Sequence, residues 1–237
     1  MRVHTTTVLS LSALAVLALT GCSRGSATFS GPTSSTTVPV HPDGQSAPAP
    51  TPLSSTALAK RLLDESDLGG DYTRMPQRTA AHDDVTVIGC PALAKLGSDA
   101  AAGASLAFPR KAKSSFTYAG GSNSELTEEL YSDTEDKLSR SVGRIFEAMT
   151  SCPTYQVLAG GTAVTVTTQK VLVARQLGDE QWSQLLTFTA GRRSSIVKQT
   201  AVRTGAVVVV VSGSPGLVDA HVREAVAKAT VVRSTGS

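Results

Sequence analysis

The last third of the chain is a series of β-type segments with almost no room between them. "TAVTVTTQKVLVAR" (162–175), "WSQLLTFTA" (182–190), "SSIVKQTAVR" (194–203) and "AVVVVVS" (206–212) are rich in β-branched residues. Leu177-Gly178-Asp179, Gly191-Arg192 and Thr204-Gly205 supply turn residues between them. Connections this short join only antiparallel neighbours, because a parallel pair needs a crossover of a dozen residues or more. Val207 to Val211 is apolar on both faces and is therefore expected to be a central strand.

Helical patterns bracket this run. Val218, Val222, Ala225, Val226 and Ala229 form an apolar stripe over 215–230, after Ser214 as N-cap and Pro215 at the first helical position. Leu138, Val142, Ile145 and Met149 mark a helix over 133–150, with Ser132 and Glu135 spaced as a capping box and Pro153 as the stop. A first helix is expected from Ser54 to Leu68, carrying Leu58, Leu62 and Leu63 and ended by Gly69-Gly70. A short one is expected from Pro91 to Leu96. "ASLAF" (104–108), "SFTYAG" (115–120) and "ELTEELY" (125–131) read as strands. The last alternates poorly and is expected near an edge. The sum is an α+β fold: one domain, a twisted antiparallel sheet of six or seven strands, amphipathic helices on one face and one disulfide.

That disulfide follows from cysteine arithmetic. Of three cysteines, Cys22 closes "LALTGC" after a short basic start and an uncharged run from Thr5 to Thr20. The run is too short to cross a bilayer, and small residues precede the cysteine, as in a secretory signal. The pattern is similar to the lipobox of bacterial lipoproteins, in which that thiol is diacylglycerylated and becomes the new N-terminus. Residues 1–21 are then a lipoprotein signal peptide. Residues 22–53 are a lipidated cysteine and a Ser/Thr/Pro-rich tether with too little apolar surface to order itself. Residues 54–237 form the folded domain, outside the membrane and held to it through Cys22. In an oxidising compartment Cys90 and Cys152 are expected to pair, since two thiols without nearby histidines make a poor zinc site. Closing a loop of about 60 residues is worth roughly 4 kcal/mol on the chain-entropy model.

The remaining composition excludes more than it assigns. A net charge of +3 with both signs scattered is no footprint for nucleic acid. "PRKAK" (109–113) and Arg192-Arg193 read as solvated loops. His82-Asp83-Asp84 reads as a solvated turn, and His41 lies in the tether, so neither a metal nor another cofactor is expected. Glu128 and Glu129 point to opposite faces of a strand and cannot act as an acid pair. "VVVVVSGSPG" imitates the strand–turn–helix of a nucleophile elbow around Ser214. Ser212 stands where that motif needs glycine, and Asp219 and His221 lie on the same following helix, badly placed for a triad.

With "CPAL" at Cys90, a long helix ending in "TSCP" at Cys152, "LGDEQW" at 177–182 and a valine strand leading into a final helix, residues 54 to 233 resemble the PknH-like extracellular sensor domain. That family occurs on actinobacterial receptor kinases and on stand-alone lipoproteins. The resemblance implies an antiparallel sheet with helices, a cleft, and a role in sensing an extracytoplasmic ligand. The chain departs from the kinase sensor in having one cysteine pair instead of two. The expected function is a non-enzymatic, membrane-anchored lipoprotein that binds a small or lipid-like molecule or an envelope protein. The alternatives are a structural or secretion-accessory lipoprotein acting through protein contacts and, remotely, a serine hydrolase using Ser214. A ligand groove is expected on the helical side of the sheet, bordered by the first helix, with Trp182 close by.

Overall fold

The computed structural model describes residues 50–77, 86–97, 108–120, 124–159 and 162–231, all within the unit Ala47–Ser237. Its strands are β1 (Tyr72–Arg74), β2 (Thr86–Ile88), β3 (Lys111–Tyr118), β4 (Ser124–Ser132), β5 (Thr154–Ala159), β6 (Thr162–Lys170), β7 (Glu180–Ala190), β8 (Arg193–Thr204) and β9 (Val207–Gly213). They form one sheet in the order β1-β3-β4-β9-β8-β7-β6-β5-β2, antiparallel at every pairing. The helices are α1 (Ser55–Ala59), α2 (Glu65–Leu68), α3 (Pro91–Ala94), α4 (Glu135–Ser151) and α5 (Pro215–Thr230). Among the described residues no helix is long and apolar enough to cross a membrane.

Helices cover both faces of the sheet, which corrects the expectation of one. The valine strand explains why: apolar side chains on both faces need two covers. Val207, Val209 and Val211 pack with Leu58, Leu63, Val218 and Ala225 beneath α1 and α5. Val208 and Val210 pack with Leu138, Val142 and Phe146 of α4 on the opposite face. The two covers are offset. The α5 side is closed over β4, β9 and β8, whereas α4 lies across β6 to β9. A third cluster under α3 and α4 joins Leu93, Met149, Tyr155, Val166 and Leu186. Cys90 and Cys152 are bonded, with Cα atoms 5.7 Å apart, and tie the start of α3 to the end of α4.

Several local expectations are corrected. The helix over 54–68 breaks into two. The Asp64 carboxylate accepts from the Ser66 and Asp67 backbone N–H groups, and Asp67 accepts from Asp64 N–H, so α2 begins with its own capping box. Ser132 is not the cap of α4, because its hydroxyl donates to Ala206 O and accepts from Leu53 N–H. The N-cap is Thr134. Leu53, read as the end of the tether, is thereby fixed to the domain. Ser214 is the N-cap of α5 by position, but its side chain makes no cap hydrogen bond. β4 lies third in the sheet, not at an edge. Lys111 to Lys113, read as loop, belong to β3. The strand read over 104–108 falls on residues outside the described set up to 107, and Phe108 is not in a strand. β1, β2 and β5 had no counterpart in the sequence reading.

Candidate functional site

The site begins where a hairpin comes apart. β6 and β7 pair up to Lys170 opposite Gln184, and Val171 N–H donates once more to Ser183 O at 2.9 Å. Continuing that register would set Leu172 opposite Trp182 and Val173 opposite Gln181. Instead the segment 171–177, expected to be strand as far as Arg175, leaves the ladder. Leu172 is 89% exposed and Val173 38%. Leu177 N–H then donates to the Gln181 side-chain oxygen at 3.0 Å, so the segment is held at both ends.

The turn that follows has a rigid origin. A Cβ on Gly178 would lie 2.5 Å from Arg203 O, so only glycine lets the chain approach β8 this closely. Arg203 binds Asp179 at 3.1 Å and Glu180 at 2.5 Å, and Asp179 also accepts from Gly205 N–H at 2.7 Å. Burial opposes ionisation of Glu180, yet Arg203 and Ser139 hold its carboxyl below the ordinary value. "LGDEQW" is thus a lock that fixes the start of β7 and aims Trp182 at α4.

Trp182 lies half-buried against Phe146, ring centroids 6.3 Å apart, and 3.8 Å from where a Cβ on Gly143 would sit. Beside it is a cavity of about 600 Å³ between α4 and the peeled segment, lined in part by Phe146, Glu147, Lys170, Leu172, Val173 and Trp182. The size is typical of small-molecule sites, roughly 300–1,000 Å³. On the α5 side of the same segment lies a second cavity of about 420 Å³. Its walls include Arg175, Leu177, Lys198, Asp219, Val222 and Arg223. The two share Val171, Leu172, Val173, Gln181 and Ser183, so they meet at the opened hairpin.

Trp182 lies beside a cavity, and the wall there is α4 and the peeled segment, not the first helix. The segment itself was missed, because "VLVAR" carries the same β-branched signal as the strand before it.

The Ser214, Asp219 and His221 side chains go separate ways. Asp219 binds Lys198 at 2.5 Å, and His221 Nε2 is 2.7 Å from the Tyr72 hydroxyl. Glu128 and Glu129 face opposite covers, as expected. Glu129 accepts from Tyr131 at 2.6 Å and pairs with Lys113. Glu128 is fully buried under the α1–α2 junction, accepting from Leu63 N–H at 2.6 Å. Burial pushes its carboxyl up to about 7, against that hydrogen bond. Among the described residues no cluster of three or more His, Cys, Asp or Glu side chains is placed to hold a metal. Cys22, His41 and His82-Asp83-Asp84 lie outside the described residues.

No family model matches the chain, and no curated protein does. The crystal structure of the extracellular domain of PknH from Mycobacterium tuberculosis is similar in fold. It has a TM-score of 0.55 and 13% identity, over 76% of this chain and 95% of that one. A structure of an uncharacterised protein from Mycobacterium smegmatis matches with a TM-score of 0.42 and 12% identity, over 73% and 97%. The chain shares the fold of that extracellular domain.

Proposed function

We propose that this chain is an extracytoplasmic, non-enzymatic binding domain, tethered to the membrane through a lipid on Cys22, and that the cleft beside Trp182 is where it takes its ligand. The observation that carries the reading is the opened β6–β7 hairpin. An apolar segment that could have zipped onto β7 stands off it instead, bordering a space lined by Phe146, Trp182, Leu172 and Val173. Support from outside the chain is the fold likeness to an ectodomain. Support for the anchor is "LTGC" alone.

Trp182 is the single tryptophan, so its emission reports the cleft directly. Titrating decyl-chain amphiphiles is expected to shift that emission, and Gly143→Leu, which fills the space beside the indole, to abolish the shift. Unchanged emission with every amphiphile overturns the reading. For the anchor, labelling with a palmitate analogue is expected to tag the natural chain and not Cys22→Ala. The 89% exposure of Leu172 also favours a second reading, contact with an envelope protein through the peeled segment. Loss of a partner on Leu172→Ser with no amphiphile response in the natural chain would select it.

A further inference from the structure

We infer that the ligand is an anionic amphiphile, with its acidic head among Arg175, Lys198 and Arg223 and its apolar part against Trp182. This rests on the cleft reading and adds the ligand's class and direction. The two cavities that meet at the segment differ in charge. On the α4 side the charged lining residues are Glu147 and Lys170, which balance. On the α5 side three cations face one carboxylate, Asp219. Lys198 uses that carboxylate, its own side chain only 14% exposed. Arg175 and Arg223 have no ion-pair partner among the described residues.

Two unpaired guanidiniums at one cavity are a recognition element of a particular kind. Each offers a planar fork of N–H donors that matches a phosphate or carboxylate, and is less strongly hydrated than an ammonium. Their position beside Val222 and Leu177 supplies apolar surface up to the point where the charge begins. Across the shared segment 171–173 lies the other cavity, walled by Phe146 and Trp182, whose charged lining residues balance. A free inorganic anion would leave that apolar half unused. A neutral chain would leave the arginines unused.

Decyl phosphate, 1-decanol and inorganic phosphate separate these cases, with Trp182 emission as the readout on the purified protein. Decyl phosphate is expected to bind about tenfold or more tightly than decanol, the worth of one or two charge-assisted hydrogen bonds at a partly exposed site. Arg175→Gln with Arg223→Gln should erase that difference and leave decanol binding alone. Both side chains are exposed, so the variant is expected to fold. Equal affinity for decyl phosphate and decanol, with a clear emission shift, overturns the head-group site and leaves the cleft reading intact. Displacement of decyl phosphate by inorganic phosphate at an equal concentration overturns the amphiphile in favour of a simple anion site. Silence of Trp182 toward both decyl compounds removes the cleft reading and this inference with it.

Discussion

A single row of residues crosses the α5 face of the sheet, from Ser114 through Glu128, Val211 and Thr200 to Ser183, each paired to the next. At the Glu128 end, α1 and α2 close over the row so completely that the carboxylate is 0% exposed and meets Leu63 N–H and the Ser114 hydroxyl. At the Ser183 end α5 reaches only as far as β8, and Ser183 and Thr200, both buried, bond to each other at the wall of the cavity. Both ends carry polar groups. In the first, enclosure leaves a carboxylate to be satisfied internally or neutralised; in the second, two buried hydroxyls satisfy each other beside a cavity. One sheet thus yields an end closed by α1 and α2 and an end that borders a cavity.

The staple on the opposite face should matter most to the whole. Replacing Cys90 and Cys152 together by serine is expected to cost roughly 4 kcal/mol, read from urea midpoints, for a loop of 62 residues. A loss under about 1 kcal/mol would mean that α3 and α4 are held by packing alone. The closed and open ends separate next. Leu63→Ala, at a fully buried position, should destabilise by about 3 kcal/mol. Leu172→Ala, at an 89% exposed one, should change stability by no more than about 0.5 kcal/mol while weakening amphiphile binding. Equal costs at the two positions would erase the comparison.

Glu128 sharpens it through pH. Its folded value of about 7 lies above the ordinary 4.5, so the folded state holds more proton between those limits. Its contribution is therefore fully present below about pH 4.5 and is lost as pH rises through 7. Urea unfolding at pH 5 and pH 8 should show the natural chain losing up to about 3 kcal/mol from this group, and Glu128→Gln losing far less. A variant with the same pH slope would show that the carboxylate is not enclosed. A gain is expected at the groove wall. Gly143→Ala should stabilise by about 1 kcal/mol, since alanine suits a helix interior better and its Cβ would meet Trp182 at an ordinary 3.8 Å. Destabilisation there would mean that Trp182 already fills the space.

Much of the fold was readable because it rests on local rules. α5 spans 215–230 as its stripe and Pro215 required, and the turn after Leu177 stands where its glycine predicted. The errors share a cause. Ser132 has the spacing of a capping box but the position of a strand end, and its hydroxyl found Leu53 and Ala206, 79 and 74 residues away. β1 and β2, three residues each, are too short to show a period. Of the site, Trp182 and its turn were legible; Gly143, Phe146 and the cations were not, since nothing near each in sequence names the others.

Sequence by itself determined the antiparallel order of the last four strands, the valine strand's central place and the pairing of Cys90 with Cys152, because turn length, alternation and elimination are properties of the chain. Only the tertiary structure decided that helices cover both faces, that Glu128 is enclosed, and that β6 releases its chain at Val171. Those outcomes depend on which distant surface arrives to cover a strand. Two apolar strand segments look the same in sequence whether a partner pairs with them or leaves them standing at the edge of a groove.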